Sequence, residues 1–200
     1  MRAGFLATPL ALAFAACGTT PPDHTTVIGT NAFTAASTVM VSGGLHCSKR
    51  GVLTSGNFDA LTVVVADVDL ISTGCPHHDF DYLPHVLQLE VATGDYFTAD
   101  PSTASQAITA GMTFPILNED VSDENLCGNV PAGTDQPAGV AMLHQCVESS
   151  CKDYFASTGS ITVAEVSSSS VAGTFDLTLV NNDHEPQGSL SGTFAAPACP

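Results

Sequence analysis

The chain has no tryptophan, three tyrosines and four basic residues among 200, and each shortage removes a class of function. Without indole rings, and with Tyr82, Tyr96 and Tyr154 widely separated in sequence, it has few aromatic platforms for sugar stacking. Twenty acids against four bases give a formal charge of −16. Such a surface repels phosphate, and no basic stripe exists to displace counterions from nucleic acid or to hold anionic lipid headgroups. Nucleic acid is therefore excluded as a partner. The acids are spread along the chain rather than massed in one tail, which reads as a soluble, self-repelling surface. No apolar run reaches the ~20 residues a membrane-spanning helix needs. Catalytic signatures are missing too. Gly188-Ser189-Leu190-Ser191-Gly192 comes nearest to a nucleophile elbow but has leucine at its centre, and no phosphate-binding glycine loop is present.

What is there begins at the N-terminus. Arg2 supplies a short positive region, residues 5–16 are apolar apart from Thr8 and Pro9, and small residues precede Cys17. This is the layout of a cleaved secretory signal. Two cleavages are open. An ordinary signal peptidase could use Ala13-Phe14-Ala15. Alternatively, Ala15-Ala16-Cys17 resembles the lipobox of bacterial lipoproteins, with Phe14 in the place usually held by leucine. Cysteine parity favours the second. Seven cysteines leave one over, and a spare thiol in an oxidising compartment is a liability. The expected organisation is a signal peptide over 1–16, lipidated Cys17 with a flexible tether over 17–26, and a single β domain over 27–200. The stretch 18–26 contains Pro21-Pro22 and no large apolar residue, as suits an extended spacer. The lipobox resemblance implies membrane attachment through the N-terminal lipid. In that family Gly18 after the cysteine, rather than Asp, does not favour inner-membrane retention, and the outer membrane is the expected location.

Alternation is clearest near the C-terminus. Ile161 and Val163 share one face of 160–166, Phe175, Leu177 and Leu179 one face of 172–180, and Leu190 and Phe194 one face of 189–195. Serines 167–170 and the polar run 181–188 separate these segments. Period-two runs with such breaks predict an antiparallel meander with one buried face. Leu87, Leu89 and Val91 alternate likewise, while 61–70 is apolar on both faces and predicts a central strand. Further strands are expected over 32–41, 110–117 and 140–146, a short helix from Asp100-Pro101 to Ala107, and the longest loop over 118–137. The predicted fold is all-β: an antiparallel β-sandwich or barrel-like sandwich of about eight to ten short strands.

The segment 151–199 carries a resemblance. Thr158-Gly159-Ser160, a Thr/Val strand, Gly173-Thr174-Phe175, an acidic turn at Asp183, Gly192-Thr193-Phe194 and Cys199 are similar to the close of a group of small, myxobacterial-type lipoproteins. The resemblance implies an all-β lipoprotein and brings no catalytic residues.

Cys47, Cys75, Cys127, Cys146, Cys151 and Cys199 remain as disulfide candidates. Their spacings lack any C-x-x-C pair, which argues against a zinc ribbon. Cys146 and Cys151 enclose four residues, a loop that two adjacent strand ends could present. Cys47 and Cys75 flank the central strand, which would leave Cys127 for Cys199 by elimination.

Two polar clusters invite metals. His77, His78, Asp79 and Asp81, with His85 nearby, offer nitrogen and oxygen ligands for zinc, against the plainer reading of a polar loop. Asn118, Glu119, Asp120, Asp123, Glu124 and Asn125 offer hard oxygens for calcium, without EF-hand spacing. The preferred reading is a lipid-anchored envelope protein with a structural or binding role and no catalysis, its protein or small-molecule partner unspecified. The alternatives are an envelope metalloprotein or hydrolase using His77, His78, Asp79 and Asp81, and a calcium-stabilised adhesion-type module.

Overall fold

Valine, threonine and aromatic residues recurring at every second position favour a pleated surface over a helix. In the computed structural model nine strands form, and no helix occurs among the described residues. Those residues are 24–43, 52–53, 56–72, 75, 83–93, 106–117, 137–148 and 150–199. The strands are β1 (Thr26–Gly29), β2 (Ser37–Ser42), β3 (Ala60–Ala66), β4 (His85–Ala92), β5 (Thr113–Pro115), β6 (Ala138–Val147), β7 (Ser150–Val166), β8 (Ser170–Val180) and β9 (Pro186–Pro197). They make one antiparallel sheet in the order β1-β9-β8-β7-β6-β4-β3-β2, with β5 added alongside β7. The expected all-β, barrel-like architecture is therefore present as a curled sheet, a half-barrel.

The meander is β6 to β9, and its connections are short because their residues suit turns. Ser167 Oγ accepts the amides of Ser169 and Ser170. Asn181 Oδ1 accepts those of Asp183 and Glu185, the Asx geometry that shapes tight loops. Strand β7 bends twice, with register shifts between Ala156 and Thr158 and between Val163 and Glu165. Bulges of this kind increase local twist and bend a strand. They let β7 pair with β6 at its start and with β5 further on, and the sheet curls there.

Inside the curl lies the main core. Leu61, Val63, Val65, Leu87, Leu89, Leu143, Phe114, Ile161, Phe175, Leu177 and Phe194 all belong to it. The two Gly-x-Phe motifs interlock within this core. Gly173 sits opposite Phe194, and Phe175 sits opposite Gly192. A methyl group at Gly173 would come within 2.5 Å of Phe194 Cζ, and one at Gly192 within 2.9 Å of Phe175 Cζ. Each ring lies across the strand over the other motif's glycine, an arrangement known to compensate glycine's weakness in sheets.

A second, smaller cluster (Val39, Val64, Ala66, Leu70, Leu83 and Val86) lies on the outer face of β2 to β4. Every residue of β3 is consequently buried. That strand ends at Ala66, four residues before the apolar run does: the Asp67 amide still donates to His85 O, and the chain bends away after it.

The ends of the path approach each other. Met40 forms a parallel bridge with Ala198, and the Cys199 amide donates to Met40 O at 2.9 Å. Thr25 Oγ1 accepts from the Ala195 amide and from Thr38 Oγ1, each near 3 Å. These bonds correct the expected tether. Its last residues, from His24, already belong to the domain, and Val27 is buried in β1. Two short hydroxyl side chains, Thr25 and Thr26, have linker-like composition but serve as pins at the seam.

Candidate functional site

The β6–β7 hairpin builds the densest chemistry among the described residues. Its register pairs Val147 with Ser150, Cys146 with Cys151, Gln145 with Lys152 and His144 with Asp153. Side chains alternate between faces along a strand, so His144, Cys146, Cys151 and Asp153 share the outer face while Gln145 and Lys152 face the other way. Glu148, at φ 57°, occupies the turn.

Cys146 and Cys151 are disulfide-bonded, with Cα atoms 3.9 Å apart, as the four-residue loop between them suggested. His144 Nδ1 lies 2.6 Å from Asp153 Oδ1. An ionised carboxylate can only accept, so Nδ1–H donates and Nε2 points away from Asp153. Nε2 lies 3.3 Å from Cys146 Sγ. The His144 side chain is 7% exposed and that of Asp153 39%, so a buried imidazole is oriented by a carboxylate that still meets water. His144, Cys146 and Cys151 each bring one ligand-type atom into a group spanning no more than 4.8 Å.

A second histidine–carboxylate couple lies near the start of β4. His85 Nδ1 is 2.7 Å from Asp67 Oδ2, and its ring stacks on Phe33 with centroids 5.8 Å apart. Register places His85 beside Gln145 and Val86 beside His144, so the two histidines are on opposite faces of the sheet and do not form one site. On the outer face, Gln88 Nε2 donates to Glu90 Oε1, and both side chains are buried. A depression of about 240 Å³ is lined by residues 56–58, 108–110 and 166–168. It is smaller than ordinary ligand pockets, which start near ~300 Å³, and carries no titratable side chain.

The other site residues named from sequence are distributed as follows. Cys17, Cys47, Cys127, His77, His78, Asp79 and Asp81, and the acidic residues from Asn118 to Asn125, lie outside the described residues. Cys75 bonds to Cys199 across 124 positions. This replaces both the Cys47–Cys75 and the Cys127–Cys199 pairings. The reason is the seam: β2 meets the end of β9, which carries Cys199 onto the outer-face cluster over β3. Cys75 reaches the same place after the turn at Leu70, whose carbonyl accepts the Cys75 amide. Elimination along the chain has no access to such a closure.

Sequence reasoning passed over His144 and Asp153. The signal was available, because His-x-Cys and Cys-x-Asp stand symmetrically about residues 147–150. Treating Cys146 and Cys151 as a cross-strand pair and stepping two residues outward places His144 against Asp153. No protein-family model matches the chain, and no curated protein or solved structure is similar to it.

Proposed function

We propose that this chain is an exported protein held in the bacterial envelope, at the outer membrane, by lipid on Cys17. The half-barrel would carry a structural or partner-binding role there. One observation supports this reading above others: four cysteines of the folded domain are joined in two disulfides. Disulfides persist in oxidising compartments and are rare in the cytosol. Cys17, Cys47 and Cys127 are the three cysteines left. A third bridge between Cys47 and Cys127 would leave Cys17, at the end of the apolar leader, as the odd one. With the domain beginning by His24, a spacer of a few residues separates that cysteine from the seam.

Labelling with radioactive palmitate tests the reading in cells of a lipoprotein-processing bacterium. The wild-type chain should incorporate label and fractionate with outer membrane, and Cys17→Ala should do neither. Equal labelling of the two, or none in either, removes the anchor.

A further inference from the structure

The cluster of His144, Cys146, Cys151 and Asp153 brings together side-chain types that hold metals elsewhere. Thiolate sulfur and imidazole nitrogen are the ligands that zinc-like cations prefer, whereas calcium and magnesium require oxygen. A metal about 2.3 Å from sulfur and about 2.0 Å from nitrogen needs ligand atoms about 3.5–3.8 Å apart. The three atoms here lie within 4.8 Å of one another, with Nε2 already 3.3 Å from Cys146 Sγ, so once the disulfide is cleaved the two sulfurs need only rotate apart to reach that spacing. Asp153 supplies the outer partner that metal-bound histidines usually have, fixing the ring and its tautomer. Lys152 points to the other face, so no cation competes from the same strand.

In the oxidised protein the two sulfurs are bonded to each other and cannot serve as thiolate ligands. We propose that the cluster is a reduction-gated metal site: closed as the Cys146–Cys151 disulfide and, once reduced, an N-S-S site for a zinc-like divalent cation. An exposed dithiol is the reductant class required. Two of its thiols become one disulfide while the Cys146–Cys151 bond takes up two electrons and two protons. Binding of the divalent cation then displaces the two thiol protons, and His144 contributes Nε2 as a neutral third ligand. The fourth position faces solvent on the side of Cys151, which is exposed.

Three features let the gate open without dismantling the fold. Cys151 is accessible to an incoming thiolate, as exchange requires. The ladder continues on both sides of the bond, through Val147 with Ser150 and Gln145 with Lys152, so the two thiols stay opposite each other after reduction. The bond spans five positions against 124 for Cys75–Cys199, so breaking it releases far less chain entropy.

Cobalt(II), a coloured substitute for zinc, provides the test on the full-length protein. Limiting phosphine reductant is applied and removed under argon, and alkylation mapping checks which bond has opened. Cys146–Cys151 should open first. The reduced protein should then bind one cobalt per chain with thiolate-to-metal charge-transfer absorption and an unchanged sheet signal in circular dichroism. The oxidised protein should show none of that absorption, and neither should Cys146→Ser/Cys151→Ser under reducing conditions. Asp153→Asn, which keeps the shape of the side chain, should weaken cobalt binding about tenfold or more. Persistence of the absorption in the double-serine variant would assign it to other cysteines and overturn the proposal. So would earlier opening of Cys75–Cys199, loss of the sheet signal on reduction, or a reduced, folded protein that binds no cobalt.

Discussion

The β8–β9 ribbon and the β3–β4 pair belong to one sheet but solve burial differently. Along β8, from Gly173 to Leu179, buried and exposed residues alternate, with Thr174, Asp176 and Thr178 facing water. All of β3, and all of β4 after His85, is buried. The ribbon has one apolar face and one wet face, so its polar residues need no partners from the protein. The β3–β4 pair is covered on both sides, and polar side chains there must find hydrogen bonds within the fold. Thr62 donates to Gly43 O at 2.8 Å, and Gln88 bonds to Glu90. Two-sided cover therefore turns ordinary alternation into a set of obligatory pairings.

The Cys75–Cys199 bond joins these two regions, and removing it should have the largest effect. Chain entropy for so long a loop is worth about 5 kcal/mol, against about 2 kcal/mol for the short Cys146–Cys151 loop. Chemical denaturation of Cys75→Ser/Cys199→Ser and of Cys146→Ser/Cys151→Ser should preserve that order. A reversal would mean that the seam is held by something other than the disulfide. Next comes the interlock within the ribbon. Phe194→Ala empties a fully buried site and should cost about 4 kcal/mol. Combined with Phe175→Ala, it should cost less than the sum of the two single changes by about 1–2 kcal/mol, because each ring covers the other motif's glycine. Additive effects in that double-mutant cycle would show that the two motifs are merely adjacent. The smallest effect contrasts one residue type across the two regions. Thr62→Ala should cost about 1 kcal/mol through its lost buried hydrogen bond, whereas Thr174→Ala on the wet face should stay within about 0.5 kcal/mol. Equal costs from thermal or urea unfolding would erase the distinction between one-sided and two-sided burial.

Legibility in the sequence followed the same division. Leu177 and Leu179 against Asp176 and Thr178 reveal β8 directly, since period two is visible when one face is wet. The run from Leu61 announces a central strand, yet its end at Ala66 is not marked by the apolar run, because β4 begins at His85 and offers no partner beyond it. Thr26 and Val27 carried too little apolar signal to mark β1, whose stability comes from β9. The hairpin disulfide could be inferred because its partners are five residues apart. Cys75 and Cys199 could not be paired, because their meeting depends on how far the sheet curls. Likewise His144 and Asp153 acquire meaning only once β6–β7 register is known. Residue types were informative, but their partners depended on closure.

That closure has a topological consequence. Thr25 and Thr38 meet near one end of β9, and Ala198 and Met40 meet a few residues further along. The last strand of the domain thus pairs with the first and reaches β2 at its end. In spatial terms both ends of the described chain lie at that seam. Those ends could be moved: a circular permutant that joins the two ends at the seam and starts at the Asn181–Glu185 turn would retain every strand pairing described here.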